Sequence, residues 1–289
     1  MAVTNKYNLP LPLFKALSPE RRQPVAGRFA ATHLIDAPLR RILLMRYFDE
    51  IEEDAADSLW ALLGKAVHKV LEEHGTKETS EKKIEFSHFT GSTLVTVGDY
   101  YDMGNVITDW KITSVWSLIL GDKEEWHRQL EVERFIYEMA GLPVSALKVC
   151  AILRDFRDKE KFKNPDYPPI PFVEKSYKLW DHDRLLQYIN KRVEIHLSAE
   201  KFLNEPHLIA SCTAEERWEK PHVWAVMKAG QKRAVKLFDD PNVAEGFAHA
   251  KGLSVVHRPG ESTKCERFCA VMPFCPYKEK FVKGKEIEE

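Results

Sequence analysis

This sequence predicts an α/β fold, a mixed central sheet flanked by helices, with a small cysteine-rich appendage at the C-terminal end. Apolar residues repeat at helical spacing in some segments and alternate at strand spacing in others, and over the first two hundred residues these run helix, three strands, helix, strand. Three of the five cysteines also crowd between Cys265 and Cys275.

The elements follow in order. Proline interrupts the stretch to Phe29, which reads as an irregular arm. A helix fits 38–49. A second fits 58–74, where Asp57 can cap the start, Trp60, Leu63, Val67, Val70 and Leu71 form the apolar stripe, and Gly75 ends it. Residues 83–89 alternate, Gly91 breaks, and 92–101 is rich in Thr, Val and Tyr. Met103-Gly104-Asn105 reads as a turn, with 106–113 returning as the partner strand. An amphipathic helix fits 124–140, closed by Gly141-Leu142-Pro143, and 146–156 suits a buried strand. A proline-rich loop at 164–171 precedes a helix at 181–203. The chain changes character near Pro206, which separates a core of 1–205 from an appendage of 206–289. In the appendage, 224–228 and 233–238, split by Ala229-Gly230, read as a hairpin, followed by a helix at 241–251 and a strand at 253–257.

Hydrophobic residues make up 44% and charged residues 30% of the 289, so a sizeable core is within reach. Charge interrupts every apolar run well short of the ~20 residues that span a bilayer, and no secretory signal is visible, so a cytoplasmic protein is expected. With 43 basic and 44 acidic residues, any contact with nucleic acid must come from a local basic track. Gly-x-x-x-x-Gly-Lys-Ser/Thr, Gly-x-Ser-x-Gly and His-Glu-x-x-His do not occur, which removes P-loop ATPases and the commoner hydrolases and metalloproteases.

The informative segment is VGDYYDMGNVITDWKITS. Asp109 and Lys111 leave the same face of their strand, and a hairpin at Met103–Asn105 brings Asp99 opposite Asp109. Paired carboxylates repel unless a cation or shared proton stabilises them, and Mg²⁺ or Mn²⁺ prefers such oxygen ligands. Lys111 would orient a water or offset charge on a phosphate. On the upstream helix, His68 and Glu72 lie one turn apart, and Gly64 costs that helix ~1 kcal/mol unless something approaches closely.

A Gly-x-x-x-His-x-x-x-Glu helix, then Asp, then Asp-x-Lys, then a Gln-bearing helix resembles the RecB-like branch of the PD-(D/E)XK nucleases, which includes CRISPR-associated and phage-encoded exonucleases. The resemblance covers roughly residues 30–160. It implies a restriction-endonuclease-like core in which His68, Asp99, Asp109 and the Trp110 carbonyl bind metal. Asp99, Asp109 and Lys111 would be catalytic, with Glu72 in support. Gln129 would be the Gln of a DNA-holding Gln-x-x-x-Tyr motif. Here Glu133 stands where that Tyr is expected, and Tyr137 follows one turn later.

Cys265, Cys269 and Cys275 have the spacing of ligands for zinc or an iron–sulfur group, with Cys212 the better fourth ligand. Cys150, inside an apolar strand, reads as a small core residue. The resemblance implies a 4Fe–4S cluster closed by an N-terminal cysteine, but Ala37 occupies that place in THLIDAPLRR. Either Cys212 substitutes or the site binds zinc.

Lys228, Lys232, Arg233 and Lys236, interleaved with Trp224 and Phe238, offer a basic track for DNA, with Lys232 and Arg233 as substrate contacts; Arg40 and Arg41 form a smaller basic pair. The expectation is a Mg²⁺- or Mn²⁺-dependent exonuclease acting on DNA ends or single strands in phage or mobile-element recombination or replication, located in the host cytoplasm. Against it stand a DNA-binding or assembly module that keeps the fold without cleavage, and a zinc-ribbon protein.

Overall fold

The computed structural model describes residues 1–18, 21–76, 79–119, 121 and 123–282. The chain divides into two compact units, Met1–Asn204 and Glu205–Glu289.

In chain order the first unit runs β1 (Ala2–Thr4), α1 (Leu11–Leu17), β2 (Arg28–Ala30), α2 (Ala31–Ile35), α3 (Pro38–Arg46), β3 (Glu52–Asp54), α4 (Leu59–His74), β4 (Ser80–Ser87), β5 (Thr93–Tyr101) and β6 (Val106–Thr113). It continues through α5 (Trp116–Ile119), α6 (Glu124–Met139), β7 (Ala146–Leu153), β8 (Phe172–Tyr177) and α7 (His182–Glu200). Its main sheet is ordered β2-β5-β6-β7-β8, with β4 also paired to β5. The arrangement is mixed α/β, a central sheet flanked by helices.

Local chemistry sets the hairpin that carries the site. Asp102 Oδ1 accepts from the N–H groups of Gly104 at 2.8 Å and Val106 at 3.1 Å, and Asn105 takes φ +60°. Asn is among the few side chains that tolerate this left-handed conformation. β7 runs parallel to β6 from Val106↔Ala146 to Thr113↔Leu153, and such a pair needs a crossover, supplied by α6. The helix buries Leu130, Val132, Ile136 and Tyr137 against Leu94, Ile107 and Leu147 of the sheet, and Ile189 and Val193 of α7 join the same core.

Strand β5 has an unusual edge. On one side it pairs with β4 along almost its whole length. On the other it pairs with β2 through Thr93–Val95 and with β6 through Tyr100 and Tyr101. Residues 96–99 lie between these two partners. The strands part there, and the candidate site forms at the gap.

Several elements differ from expectation. The N-terminal arm contains β1, α1 and β2, and β2 extends the sheet. Three-residue strands leave too little periodicity to detect. Helix α3 ends at Arg46 and gives way to a 3₁₀ turn at Phe48–Glu50. Asp57 does not cap α4. Ser58 occupies that position without a side-chain bond, while Asp54 accepts from Ala56 N–H one turn earlier. Strand β8, unforeseen in FVEKSY, is mostly exposed, and its pairing with β7 supplies the order its sequence lacks. Cys150 is buried on β7, as a core residue would be.

The second unit contains β9 (Glu219–Lys220), β10 (Val223–Met227), β11 (Lys236–Phe238), α8 (Pro241–Lys251), β12 (Ser254–Arg258), β13 (Glu261–Ser262), α9 (Thr263–Arg267) and α10 (Lys278–Phe281). β11-β10-β12 form a small antiparallel sheet covered by α8, whose Ala244 and Ala248 pack on Val226. Asp240 caps α8 through the N–H groups of Asn242 and Val243, and Gly252 at φ +62° ends it. Lys232 and Arg233 are exposed between β10 and β11 rather than on a strand. Trp224 and Phe238 are partly buried against the small core. Among the described residues no helix is long and apolar enough to cross a membrane.

Candidate active site

The β5–β6 register, Tyr100↔Thr108 and Tyr101↔Ile107, continues to set Asp99 opposite Asp109. Opposed residues share a face, and Lys111, two along from Asp109, shares it too. Backbone pairing has ceased at this point. The Asp99 carboxylate takes over, its Oδ2 accepting from Trp110 N–H at 2.8 Å.

On the opposite side of β5 the β4 ladder reads Ser80↔Tyr100 and then Lys82↔Gly98. Its one lapse falls where Glu81 meets Asp99. Glu81 adopts φ +50°, a conformation that costs a residue with a Cβ ~1–2 kcal/mol. His68 reaches in from α4. Its Nδ1 lies 3.3 Å from Asp99 Oδ1 and 3.8 Å from Glu81 Oε1, and its Nε2 is 3.1 Å from the Trp110 carbonyl. His68, Glu81 and Asp99 thus each present a ligand atom within 4.8 Å of the others.

Asp109 lies outside that trio. Its Oδ1 accepts from Lys111 Nζ at 2.8 Å and from Gln129 Nε2 at 3.0 Å, while Oδ2 is buried without a hydrogen-bond partner. An unsatisfied buried oxygen is costly, and a cation offers one way to satisfy it. The trio supplies two carboxylates and one imidazole, a donor set that suits Mg²⁺ or Mn²⁺, whereas the Trp110 carbonyl is engaged by the other ring nitrogen of His68.

The charges are mutually adjusted. Hydrogen bonding to Asp99 raises the His68 imidazole above its ordinary value, against the effect of burial. Burial, then the neighbouring Asp99, raises the Glu81 carboxyl. Burial also raises Asp109, with Lys111 opposing and Asp99 adding to the rise. For Lys111, burial opposes the charge, but attraction and hydrogen bonding to Asp109 outweigh it and hold the ammonium above the lysine norm.

Gln129 turns inward. Its Nε2 donates to Asp109 and, at 2.9 Å, to Glu133, and its Oε1 accepts from Lys111 at 3.3 Å, so this amide is committed within the protein rather than held out to DNA. Tyr137 is fully buried beside Tyr101 and Gly98, on the core-facing side of α6. Glu72 pairs with Lys69 at 2.9 Å and adds electrostatically to the rise of the Glu81 carboxyl. Nothing lies within 4 Å of a Cβ placed on Gly64, so no close approach within the protein explains that glycine. Arg41 is buried and paired with Glu200 at 2.6 Å, and Arg40 with Asp36, so neither is a free basic contact.

Glu81 and Glu133 were not foreseen as site residues. The signal for Glu133 was an acidic residue between Leu130 and Tyr137 on an apolar stripe. Glu81 carries no local signal, because only the lapse in pairing turns it toward Asp99.

In the second unit, Cys212, Cys265, Cys269 and Cys275 share a neighbourhood. Burial first, then Glu216 and the three other thiols, pushes Cys212 up to about 12. Burial, then Cys269 and Cys275, pushes Cys265 up to about 11. Burial likewise raises Cys275. The four thiols influence one another electrostatically, but among the described residues their sulfur atoms do not form a group lying within 4.8 Å of one another as the His68, Glu81 and Asp99 ligand atoms do.

The fold and site together define a mixed α/β protein in which two carboxylates and an imidazole gather beside a lysine–aspartate pair. No family profile matches the chain, and no curated protein matches it. Two solved structures are similar at 14% identity and a TM-score of 0.40. One is the crystal structure of SSO0001, covering 64% of this chain and 85% of that one. The other is an alkaline exonuclease, LHK-Exo, from Laribacter hongkongensis, covering 68% and 94%.

Proposed function

We propose that the protein is a nuclease that hydrolyses DNA phosphodiester bonds with Mg²⁺ or Mn²⁺, as an exonuclease on ends or single strands. The observation that carries this reading is the convergence of His68, Glu81 and Asp99 beside the Lys111–Asp109 pair. A bound divalent cation would polarise a phosphoryl oxygen and acidify a water for in-line attack. The carboxylates of Glu81 and Asp99, the His68 imidazole and Asp109 Oδ2 would hold it. Lys111 keeps its proton against burial and so presents positive charge where a phosphate gains negative charge. Asp99 anchors Trp110 N–H, which fixes the strand carrying Asp109 and Lys111.

Exposed Lys232 and Arg233 suit phosphate contacts in the second unit, where Cys212, Cys265, Cys269 and Cys275 would hold a 4Fe–4S cluster or zinc as a structural clasp. A role in phage or mobile-element recombination or replication, in the host cytoplasm, accompanies the reading. The test is incubation of the whole protein with end-labelled single- and double-stranded DNA, with Mn²⁺, Mg²⁺ or chelator. Metal-dependent loss of terminal nucleotides is expected. Tight binding without hydrolysis would overturn the enzyme reading in favour of a non-cleaving DNA-binding module.

A further inference from the structure

We infer that Glu133 is a positioning residue, which holds the Gln129 amide in the one orientation that seats the Lys111 ammonium on Asp109. The inference rests on the nuclease reading for its consequence and on hydrogen-bond geometry for its cause.

A glutamine amide has two nearly isosteric ends, one accepting and one donating. Rotating it end for end exchanges them. Here Nε2 donates to two carboxyl groups, Asp109 at 3.0 Å and Glu133 at 2.9 Å, while Oε1 faces Lys111 Nζ at 3.3 Å. The reversed amide would set its oxygen against the Asp109 carboxyl and its nitrogen against the ammonium, and would lose the N–H that Glu133 Oε1 accepts. Glu133 is only 3% exposed and comes from the same helix one turn along, so its carboxyl is a fixed reference rather than a mobile surface group. Without it, Gln129 would have one carboxyl partner fewer to choose its orientation, and Lys111 would lose a defined second acceptor. Burial, and then the neighbouring Asp109, pushes the Glu133 carboxyl up to about 8, so at neutral pH it is largely uncharged and glutamine is its near-isostere.

The experiment compares wild type, Glu133→Ala and Glu133→Gln as full-length protein. The expected result is a fall in kcat of about tenfold or more for Glu133→Ala, with KM for DNA little changed, and recovery of most of that rate in Glu133→Gln. In metal-free protein labelled with ¹⁵N-glutamine, the two Nε2–H signals of Gln129, assigned by their loss in Gln129→Ala, should be sharp and separate in wild type and Glu133→Gln. In Glu133→Ala they should broaden or merge. Unchanged amide signals with unchanged kcat would overturn the inference, as would equal losses of kcat in both variants tracking equal falls in Tm. Absence of cleavage by wild type would instead overturn the nuclease reading, and the amide signals would still decide whether Glu133 positions Gln129.

Discussion

Glu81 meets Asp99 at the single lapse in the β4–β5 ladder, and the His68 ring stands 3.8 Å from one carboxylate and 3.3 Å from the other. Two acids held together on a backbone that is itself strained oppose folding unless a cation joins them. Replacing Glu81 by Gln should therefore act in opposite directions with and without metal. In chelator Tm should rise by about 2–4 °C, corresponding to relief of ~1 kcal/mol. Mn²⁺ affinity, followed by calorimetry, should fall by roughly tenfold or more. Unaltered Mn²⁺ binding would remove Glu81 from the ligand set.

Lys111→Met should reduce cleavage by at least ~100-fold, because the ammonium is the one positive group hydrogen-bonded to Asp109. It should also cost ~1–3 kcal/mol, since a buried carboxylate loses its partner. The loss is pH-dependent. Burial raises Asp109 and Lys111 opposes the rise, so in the variant Asp109 favours its protonated form more strongly. A raised carboxyl penalises the fold once the unfolded chain ionises, and the penalty grows as pH climbs toward the folded value. The urea midpoint of the variant should fall further below that of wild type at pH 8 than at pH 5.

Glu133 imposes its own slope on stability. Burial, and then Asp109, pushes the carboxyl up to about 8 in the folded protein, against an ordinary 4.5. Between those values the unfolded chain has released a proton that the native protein retains, so stability falls as pH rises, by at most ~1.4 kcal/mol per unit. Urea unfolding in chelator from pH 5 to 8.5 should show this slope in wild type and a shallower one in Glu133→Gln. Parallel profiles would contradict it.

Cys212→Ser should lower the metal content of purified protein and weaken any visible absorbance, and Cys150→Ser should leave both unchanged. Cys150 is buried on β7 in the first unit, whereas Cys212 lies within the field of Cys265, Cys269 and Cys275. The free thiols of Cys212 and Cys265 are pushed up to about 12 and about 11, so binding must release their protons. Metal uptake should accordingly tighten as pH rises from 6 to 8. Equal metal loss in the Cys150 and Cys212 variants would remove Cys212 from the ligand set.

A methyl group on Gly98 would lie 2.2 Å from Tyr137 Oη, a hydroxyl that is buried and without a hydrogen-bond partner. Gly98→Ala should cost ~1–3 kcal/mol by overpacking. Tyr137→Phe removes the colliding atom and an unsatisfied donor, so it should be neutral or stabilising by up to ~1 kcal/mol and should recover part of the Gly98→Ala loss. Thermal melts of the two single variants and the double variant measure the coupling. DNA affinity should be unchanged in Tyr137→Phe, and a marked loss would return that tyrosine to the substrate surface.

Much of the site follows from near neighbours in the chain. Strand alternation puts Asp109 and Lys111 on one face, Asp102 and Asn105 form the turn that returns β6 along β5, and the stripe through Leu130 and Tyr137 defines the inner side of α6. Each depends on residues a few positions apart, where periodicity and turn chemistry are written directly. The short strands β1 and β2 and the polar strand β8 were not legible, because their order comes from the strands they pair with.

By itself the sequence determined that an acidic hairpin with a lysine would lie on a sheet near a helical histidine, and that the cysteines gather late in the chain. Only the tertiary structure decided that Glu81 joins His68 and Asp99, that Gln129 and Glu133 turn inward, and that Tyr137 belongs to the core. The physical reason is that these outcomes depend on where two strands stop pairing and how two helices roll against the sheet. Both are settled by packing among segments far apart in sequence, which no local pattern records.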